Sequence, residues 1–352
     1  MSDNRNTTEN RSGRMLSGDE YLARKNQHYQ NLENAYSKKK EKPVRFPIKS
    51  LLFIMCALVF FFSGYHLVRY FSDISRAKNS SQDLREIYAS SQTEVSPSSD
   101  VTATPVATST PGTTATPAPK PSPAAKKFSE YWPSQYANNP ELVIDDSFQK
   151  LRQENRDIVG WLSIDGVLDE PVLQRDNAFY LTHDASQAKN VTGALFLDEE
   201  CNLRTMTHNL IIHGHNMKEG AMFGVLKKYK LKDASFYKEH PFVEFNTLYE
   251  KGTYVIFAVT EISLDPYNHY YLPFWVYKNF DSERAFNTYI NRLREYSHFQ
   301  TSVDVQPGDR LLTMATCTGI NDSERLLVVA RKVRDGEDTI ELKRGILSTT
   351  VK

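Results

Sequence analysis

The sequence predicts a mainly β domain carried behind a single N-terminal transmembrane helix. After residue 141, about seven or eight short apolar runs are bounded by turn residues, a pattern typical of buried strands. These runs do not alternate regularly with helical patterns. That favours a β-barrel or sandwich decorated by a few peripheral helices over a doubly wound sheet. The length of this part, about 210 residues, suits one domain.

A long apolar segment at 50–68, SLLFIMCALVFFFSGYHLV, predicts the transmembrane helix. About 20 such residues are enough for a helix to cross roughly 30 Å of hydrocarbon. A cluster of basic residues precedes the segment: Lys38, Lys39, Lys40, Lys42, Arg45 and Lys49. Because positive charge marks the cytoplasmic flank, we expect a single-pass type II protein, with its N-terminus in the cytoplasm and the chain from residue 70 outside.

A cleaved signal peptide is the alternative to an anchor. Such a peptide has a short charged region and a small-residue cleavage site directly after its apolar core. Here the preceding region is long, and the apolar segment ends in Tyr65, His66, Leu67 and Arg69. We therefore favour an uncleaved membrane anchor.

Shifts in composition divide the chain into five segments. These are a cytoplasmic polar and basic tail at 1–49, a transmembrane signal anchor at 50–69, an extracellular linker at 70–140, a folded domain at 141–345 and a C-terminal tail at 346–352. Within the linker, residues 96–125 are dominated by Pro, Thr, Ser and Ala and contain no aromatic residue. This stretch cannot form a core, and its prolines keep it extended. A wall-spanning stalk and a plain disordered linker both fit it.

In the folded domain the residue patterns predict a series of helices and strands. Helices are expected at 147–155, 220–229 and 281–296, the last with Asp281 as its cap. Strands are expected at 158–164, 171–174, 193–198, 210–212 and 253–262, then around 311–312 and 326–330, and near 339–342. An aromatic and proline-rich loop occupies 263–280.

Charge and cysteine content exclude several classes of protein. The 43 basic and 43 acidic residues balance, so no positive field points to nucleic acid as a partner. Of the three cysteines, Cys56 lies in the apolar segment, which leaves Cys201 and Cys317 outside the membrane. A disulfide between these two stays open from the sequence. Such sparse cysteines on an exported chain fit a bacterial surface protein better than a disulfide scaffold.

Three residues at predicted strand ends indicate nucleophilic chemistry. In the stretch 309–333, DRLLTMATCTGINDSERLLVVARKV, Cys317 ends one strand and Arg325 begins the next. His215 follows a strand that Gly214 breaks, so a loop can hold it toward a cleft. An imidazole can take the proton of a nearby thiol and later protonate an amine leaving group. A guanidinium stays charged, so it is suited to bind substrate or to stabilise an oxyanion.

Each of these residues also has a purely structural interpretation. A single cysteine is often a small buried hydrophobe, and an arginine at a strand start is often solvated or ion-paired. Arg331 lies six positions after Arg325, on the same face of a regular strand. We prefer Arg325 because it lies nearer the loop.

Three motifs make the chain resemble the sortase family. TMATC at 313–317 is similar to the sortase motif Thr-Leu-x-Thr-Cys, with Met314 in place of Leu. IIHGHN at 211–216 is similar to the sortase histidine motif, and Arg325 matches the third catalytic position. The segments DNAFYLTHD and GALFLD resemble sortase segments that precede the histidine. The long insert that contains the 281–296 helix resembles class B sortases in particular.

The resemblance implies an eight-stranded β-barrel and a cysteine transpeptidase at the surface of a Gram-positive cell, with neither metal nor organic cofactor. It implies that Cys317 attacks the carbonyl of a Thr in the C-terminal sorting motif of a surface protein. His215 protonates the leaving group, and Arg325 stabilises the oxyanion. An amine of the cell-wall precursor lipid II, or of a pilin, then resolves the thioester. Two positions depart from the class B pattern, Ala315 and Gly319, which lack a hydroxyl and a carboxylate that some members carry.

Four other functions would use some of the same residues. His213, His215 and Cys317 could ligate zinc, although Gly214 and the missing carboxylate weaken that interpretation. An L,D-transpeptidase also uses an exported Cys and His, but Ala315 and Thr316 do not fit its Ser-x-Gly-Cys motif. A hydrolase would use the same residues and differ only in its acceptor. A membrane-tethered binding module would keep Cys317 as an inert core residue.

Overall fold

A computed structural model of the chain describes residues 48–93, 128–132, 135–218, 220–318 and 323–351. The chain divides into two compact units, 1–64 and 65–352. Most of the predicted cytoplasmic tail and the whole proline-rich stretch at 96–125 lie outside the described residues.

The first helix in the described part of the chain, α1, runs from Ile48 to Thr93 and is much longer than the predicted 50–69 span. Its segment Leu52–Gln92 is long and apolar enough to cross a membrane. The apolar side chains at its start have no protein cover; Phe53 is 76% exposed and Phe60 is 74% exposed. Such a surface needs an apolar solvent, so its exposure agrees with a membrane anchor.

In the second unit, α1 continues as an amphipathic helix where the sequence predicts the start of a linker. Its buried side chains recur every three or four residues: Asp73, Ala77, Ser81, Leu84, Tyr88 and Ser91. This spacing places them on one helix face. The Tyr88 ring stacks on Trp161 with 4.5 Å between ring centroids, and Asn246 donates a 2.9 Å hydrogen bond to the Tyr88 hydroxyl. In the sequence, Leu84, Ile87 and Tyr88 hint at a short helix within this otherwise charged and polar segment.

The domain is built on a closed eight-stranded barrel, which confirms the predicted fold. The strands are β1 (Ile158–Ile164), β2 (Leu168–Leu173), β3 (Leu195–Leu197), β4 (Asn209–His213), β5 (Phe242–Thr247), β6 (Thr253–Ser263), β7 (Phe299–Gln300), β8 (Leu311–Cys317), β9 (Glu324–Lys332) and β10 (Thr350–Val351). The barrel order is β1-β2-β3-β4-β8-β9-β6-β5, and β5 pairs with β1 to close it. Strands β7 and β10 form a separate two-stranded sheet.

Two parallel pairings, β2 with β3 and β4 with β8, break the antiparallel order of the barrel. Parallel neighbours need a long connection. Between β4 and β8 that connection includes β5, β6 and a helix, so the barrel brings together the ends of strands that are far apart in sequence.

One barrel strand, β5, is absent from the sequence-based prediction. Its residues alternate between buried and half-buried positions, with Val243, Phe245 and Thr247 inward. Glu244 and Asn246 lie between these residues, so the strand has no continuous apolar run. Only its inward-facing residues contribute to the core. An alternating strand of six residues gives a weaker signal than the continuous apolar runs of β8 and β9.

Four shorter α-helices decorate the barrel: α2 (Asp146–Glu154), α3 (Ser235–Glu239), α4 (Glu283–Tyr296) and α5 (Thr339–Leu347). Single 3-10 turns or helices cover Phe128–Glu130, Phe179–Leu181, Phe223–Lys230 and Phe274–Val276. Helix α4 buries the predicted side chains Phe286, Tyr289, Ile290 and Leu293. Its cap is Ser282, whose hydroxyl accepts from the Ala285 amide, and not Asp281.

One sequence-based element prediction is wrong in type. The predicted strand near 339–342 is the start of helix α5, because the Asp338 carboxylate accepts from the Ile340 amide and caps a run of good helix formers. The helix predicted over 220–229 is present as the 3-10 helix Phe223–Lys230. It buries Phe223, Val225, Leu226 and Tyr229, a spacing that tight turns also allow.

Candidate active site

Cys317 and Arg325 lie directly opposite each other on neighbouring strands. Strands β8 and β9 are antiparallel, and their last matched pair is Cys317 with Arg325. Opposed residues of an antiparallel pair project from the same face of the sheet, with Cβ atoms about 5 Å apart. Both side chains are half-buried, at the rim of the barrel. The residue that ends one predicted strand and the residue that begins the next are therefore neighbours across the sheet.

The loop that carries His215 is attached to the same end of β8. Strand β4 pairs in parallel with β8 up to His213 opposite Ala315. Beyond that pair, the Gly214 amide donates to the Ala315 carbonyl at 3.3 Å, and the Thr316 hydroxyl donates to the Gly214 carbonyl at 2.7 Å. These bonds carry the β4–β8 pairing past the strand end, so His215 leaves β4 beside the residue that precedes Cys317.

Asn216 adds a side-chain tie between the histidine loop and strand β8. Its Nδ2 donates to the Cys317 carbonyl at 2.9 Å. The histidine motif contains this Asn, but its sequence position alone gives no indication of the partner. Together with the Thr316 hydroxyl bond, it ties the backbone of the His215 loop to the end of β8.

The His215 ring is held by the segment that precedes β3. His215 Nε2 lies 2.7 Å from the Leu181 carbonyl oxygen. The His215 carbonyl accepts from the Phe223 amide at 3.0 Å, which fixes the loop from the other side. Leu181 ends the 3-10 turn Phe179–Leu181, within the DNAFYLTHD segment of the sequence.

His213 has a different environment from His215. Its Nε2 lies 3.1 Å from Asp198 Oδ2, and Lys278 Nζ lies 3.3 Å from the other oxygen of that carboxylate. Burial alone would raise the pKa of Asp198, but the His213 hydrogen bond and the charges of His213 and Lys278 lower it to about 2. Lys278 also contacts Glu200 and the Trp275 carbonyl, so this cluster ties the 263–280 loop to the end of β3.

This cluster bears on the zinc interpretation. His213 is engaged by the Asp198 carboxylate, which in turn pairs with Lys278. Within the described residues, no group of three or more His, Cys, Asp or Glu side chains is arranged to hold a metal ion. Sequence inspection could have found Asp198, since it ends the apolar run GALFLD, but nothing in the sequence pairs it with Lys278.

Cys201 and Cys317 are both free and have contrasting surroundings. Cys201 is buried, and burial raises the pKa of its thiol to about 12. Its sulfur accepts from the Ile211 amide at 3.5 Å and contacts the Asn209 carbonyl at 3.8 Å. Cys201 is thus a packing residue behind β4, whereas Cys317 reaches the rim.

Arg331 is remote from Cys317, at the other end of the strand pair. It lies opposite Leu311, the first residue of β8. Its side chain is fully buried, bonds both carboxylate oxygens of Glu337 at 2.5 and 2.6 Å, and donates to the Asp304 carbonyl at 2.6 Å. These contacts give Arg331 a structural role. The arginine beside the Cys317 thiol is Arg325.

Comparisons with known proteins agree with this architecture. Residues 163–333 match the family model of the sortase domain. The chain is 34% identical over 197 residues to sortase B of Listeria monocytogenes, covering 55% of this chain and 76% of that protein. It is 30% identical over 192 residues to sortase B of Staphylococcus aureus, covering 53% of this chain and 75% of that protein.

A solved structure shares the fold. The crystal structure of sortase B from B. anthracis in complex with AAEK1 superposes with a TM-score of 0.53 and 24% identity. The superposition covers 75% of this chain and 99% of that chain. Barrel, strand order and sequence similarity point the same way: the chain belongs to the sortase family of cysteine transpeptidases and is class B-like.

Proposed function

We propose that this transpeptidase cleaves the C-terminal sorting motif of surface proteins after a Thr and transfers the acyl group to an amine. In this proposal Cys317 is the nucleophile, His215 the general acid and base, and Arg325 the group that stabilises the oxyanion or holds the substrate. The observation that carries the assignment is the end of β8, where Cys317 is opposed by Arg325 and tied to the His215 loop through Asn216.

The chemistry follows from these three groups. The Cys317 thiolate attacks the Thr carbonyl carbon, a C–S bond forms, and the carbonyl oxygen becomes an oxyanion. A fixed guanidinium beside that oxygen stabilises the charge as it develops. When the intermediate collapses, the C–N bond breaks and His215 gives its proton to the leaving amine. The product is a thioester between the Thr carbonyl and Cys317.

In the second half of the reaction, a different amine attacks the thioester and His215 acts as a base instead of an acid. The acceptor amine, from lipid II of the cell-wall precursor or from a pilin subunit, attacks the thioester as His215 takes its proton. The C–S bond breaks and a new amide forms. The only chemistry needed is proton transfer and oxyanion stabilisation, which the three side chains supply.

The N-terminal helix supports the proposed location. We propose a single-pass type II protein of the cell membrane, with residues 50–69 as the anchor and the catalytic domain outside. The uncovered apolar side chains of α1 and the basic residues before position 50 favour this orientation. The Pro-rich stretch at 96–125 would then lie outside the cell.

Peptide cleavage by the full chain in detergent micelles tests the proposal. The protein is incubated with Leu-Pro-x-Thr-Gly-like and Asn-Pro-x-Thr-x-like peptides and a triglycine amine, and products are identified by mass spectrometry. We expect cleavage after Thr with an amine-trapped product, abolished in Cys317→Ala and retained in Cys201→Ala. Cleavage to the free acid alone would favour a hydrolase. No cleavage together with an unreactive Cys317 thiol would favour a tethered binding module.

A further inference from the structure

The contact between His215 and Leu181 carries chemical information about the imidazole. A carbonyl oxygen has no proton, so in the 2.7 Å contact Nε2 is the donor and the Leu181 oxygen is the acceptor. A neutral imidazole has a single N–H. If Nε2 holds it, Nδ1 is the only basic nitrogen of the ring.

Backbone hydrogen bonds to the two neighbouring carbonyls leave the Leu181 carbonyl available for this contact. The preceding carbonyl, of Tyr180, accepts from the Ala194 amide at 3.0 Å, and the following one, of Thr182, accepts from the Asn190 amide at 2.8 Å. The segment at 190–194 therefore holds the carbonyls on either side and leaves the middle one for His215. The turn is also anchored from inside, since the buried Tyr180 hydroxyl donates to Asp157 at 2.7 Å.

Gly193 makes the approach of these groups possible. Its φ is +58°, a conformation that favours glycine. A Cβ at this position would lie 2.4 Å from the Tyr180 oxygen, 3.1 Å from His215 Cδ2 and 3.2 Å from the Leu181 oxygen. A side chain at position 193 would therefore contact both the turn and His215 Cδ2, the ring atom bonded to Nε2. It would push the imidazole away from the turn.

Resting on the function proposed above, we infer that the Leu181 carbonyl and Gly193 form a positioning device that holds His215 as the Nε2–H tautomer. Nδ1 is then the nitrogen that exchanges protons during the reaction. It takes the thiol proton of Cys317 before the thiolate attacks and passes it to the leaving nitrogen as the C–N bond breaks. The Nε2 proton stays on the ring throughout, hydrogen-bonded to the Leu181 carbonyl. Leu181 and Gly193 act through His215 and touch no reacting atom.

The tautomer is measured directly on the parent protein. The full chain, labelled with ¹⁵N-histidine in detergent micelles, is examined by two-bond ¹H–¹⁵N correlation at a pH where the ring is neutral, and His215→Gln assigns the signal. We expect one pyrrole-type nitrogen at Nε2 and one pyridine-type nitrogen at Nδ1. A proton on Nδ1, or an even mixture of both tautomers, would overturn the inference. This measurement does not depend on peptide turnover, so it is decided separately from the proposed function.

A matched pair of glycine variants tests the positioning effect. Gly193→Ala introduces the methyl group against the turn, whereas Gly166→Ala meets a similar φ of +65° with no heavy atom within 4 Å. We expect kcat to fall about 10- to 100-fold in Gly193→Ala with KM for the peptide little changed, because misplacement of a catalytic group by about 1 Å costs that much. Gly166→Ala should keep the parent kcat.

The outcomes separate a positioning role from a folding role. A parent-like kcat in Gly193→Ala, with near-ultraviolet circular dichroism showing a folded domain, would contradict the inference. If Gly193→Ala does not fold, the tautomer measured on the parent decides. If the parent cleaves no peptide, the proposed function is wrong. The tautomer is then still decided by the NMR spectrum.

Discussion

At the scale of single residues, two arginines on β9 have opposite surroundings. Arg325 is half-buried at the rim opposite Cys317, and Arg331 is fully buried among acidic partners at the other end of the strand pair. The residue type and the strand face are the same for both. Only their neighbours decide that one guanidinium can face a substrate and that the other neutralises buried charge.

Substituting each arginine should therefore affect different quantities. We expect Arg325→Ala to lower kcat about 10²- to 10³-fold, the loss typical of removing one oxyanion donor, with little change in stability. Arg331→Met should lower the free energy of unfolding by about 3 kcal/mol, because it leaves the partly buried Glu337 carboxylate without its partner. Peptide kinetics and urea denaturation measure the two effects.

The contrast between the two variants is the internal control. Arg325→Lys keeps the charge but not the planar fork, so it should recover only part of the lost kcat. Unchanged kinetics in Arg325→Ala would remove this residue from the site. A large loss of kcat in a folded Arg331→Met would reverse the assignment of the two arginines.

At the scale of elements, the second part of α1 is a component of the barrel domain. Its buried face covers Trp161 and places Arg85 on Asp169, with Nε 2.6 Å from the carboxylate. Ala77 and Ser81 line a small gap beside Glu170, Gly193 and Met222. The helix thus packs next to the segment that supports the His215 turn, and its docking should be measurable by itself.

Tyr88→Ala should loosen this docking. The variant removes the ring stacked on Trp161 and the hydroxyl bonded to Asn246, and loss of a buried aromatic side chain costs about 3 kcal/mol or more. We expect trypsin to cleave after Lys78 and Arg85 faster than in the parent, in a limited digest followed by mass spectrometry.

The exposed Glu86 supplies the control for this digest. Glu86→Ala changes the same helix on its solvent-facing side and should leave the cleavage rate at the parent value. Equal cleavage rates in Tyr88→Ala and the parent would mean that the helix is not held by this face.

At the scale of the whole molecule, the stability of the domain depends on a carboxyl group beneath α1. Burial raises the pKa of Glu170 to about 7, and the Ser81 hydrogen bond and the Arg85 charge only partly offset it, while nearby Asp169 raises it further. A group whose pKa is higher in the folded state stabilises that state when protonated. Its contribution is present below the unfolded pKa near 4.5 and is lost as the pH rises through about 7.

We therefore expect Glu170 to add a pH-dependent term to stability. Between pH 4.5 and 7 the free energy of unfolding should lose up to about 3 kcal/mol that Glu170→Gln does not lose. Urea denaturation at a series of pH values measures this difference. Glu341→Gln, whose side chain is 75% exposed, should follow the parent curve. A Glu170→Gln curve parallel to the parent curve would show that the carboxyl does not titrate in this range.

Much of the molecule was predictable because the relevant signals are local. The continuous apolar runs of β8 and β9, the break at Gly214 and the helical spacing of α4 follow from side-chain periodicity, which the chain carries in any context. The motifs around His215, Cys317 and Arg325 lie at strand ends for the same reason. Class B-like similarity and the mainly β fold could therefore be inferred before any coordinates.

Tertiary structure decided what depends on partners distant in sequence. The parallel pairing of β4 with β8 brings the His215 loop to Cys317, and no local pattern specifies that pairing. Strand β5 and the docked part of α1 need a neighbour to bury their one apolar face. The Asp198–His213–Lys278 cluster and the Leu181 carbonyl are likewise contacts between separate segments.

The sequence by itself thus determined the residue types and the elements that carry the chemistry. The tertiary structure decided which strands pair, which backbone groups contact the His215 loop and which arginine lies beside the thiol. The physical reason is that propensity and periodicity are properties of a few adjacent residues, whereas burial, pairing and hydrogen bonds to backbone carbonyls arise only when distant segments pack together.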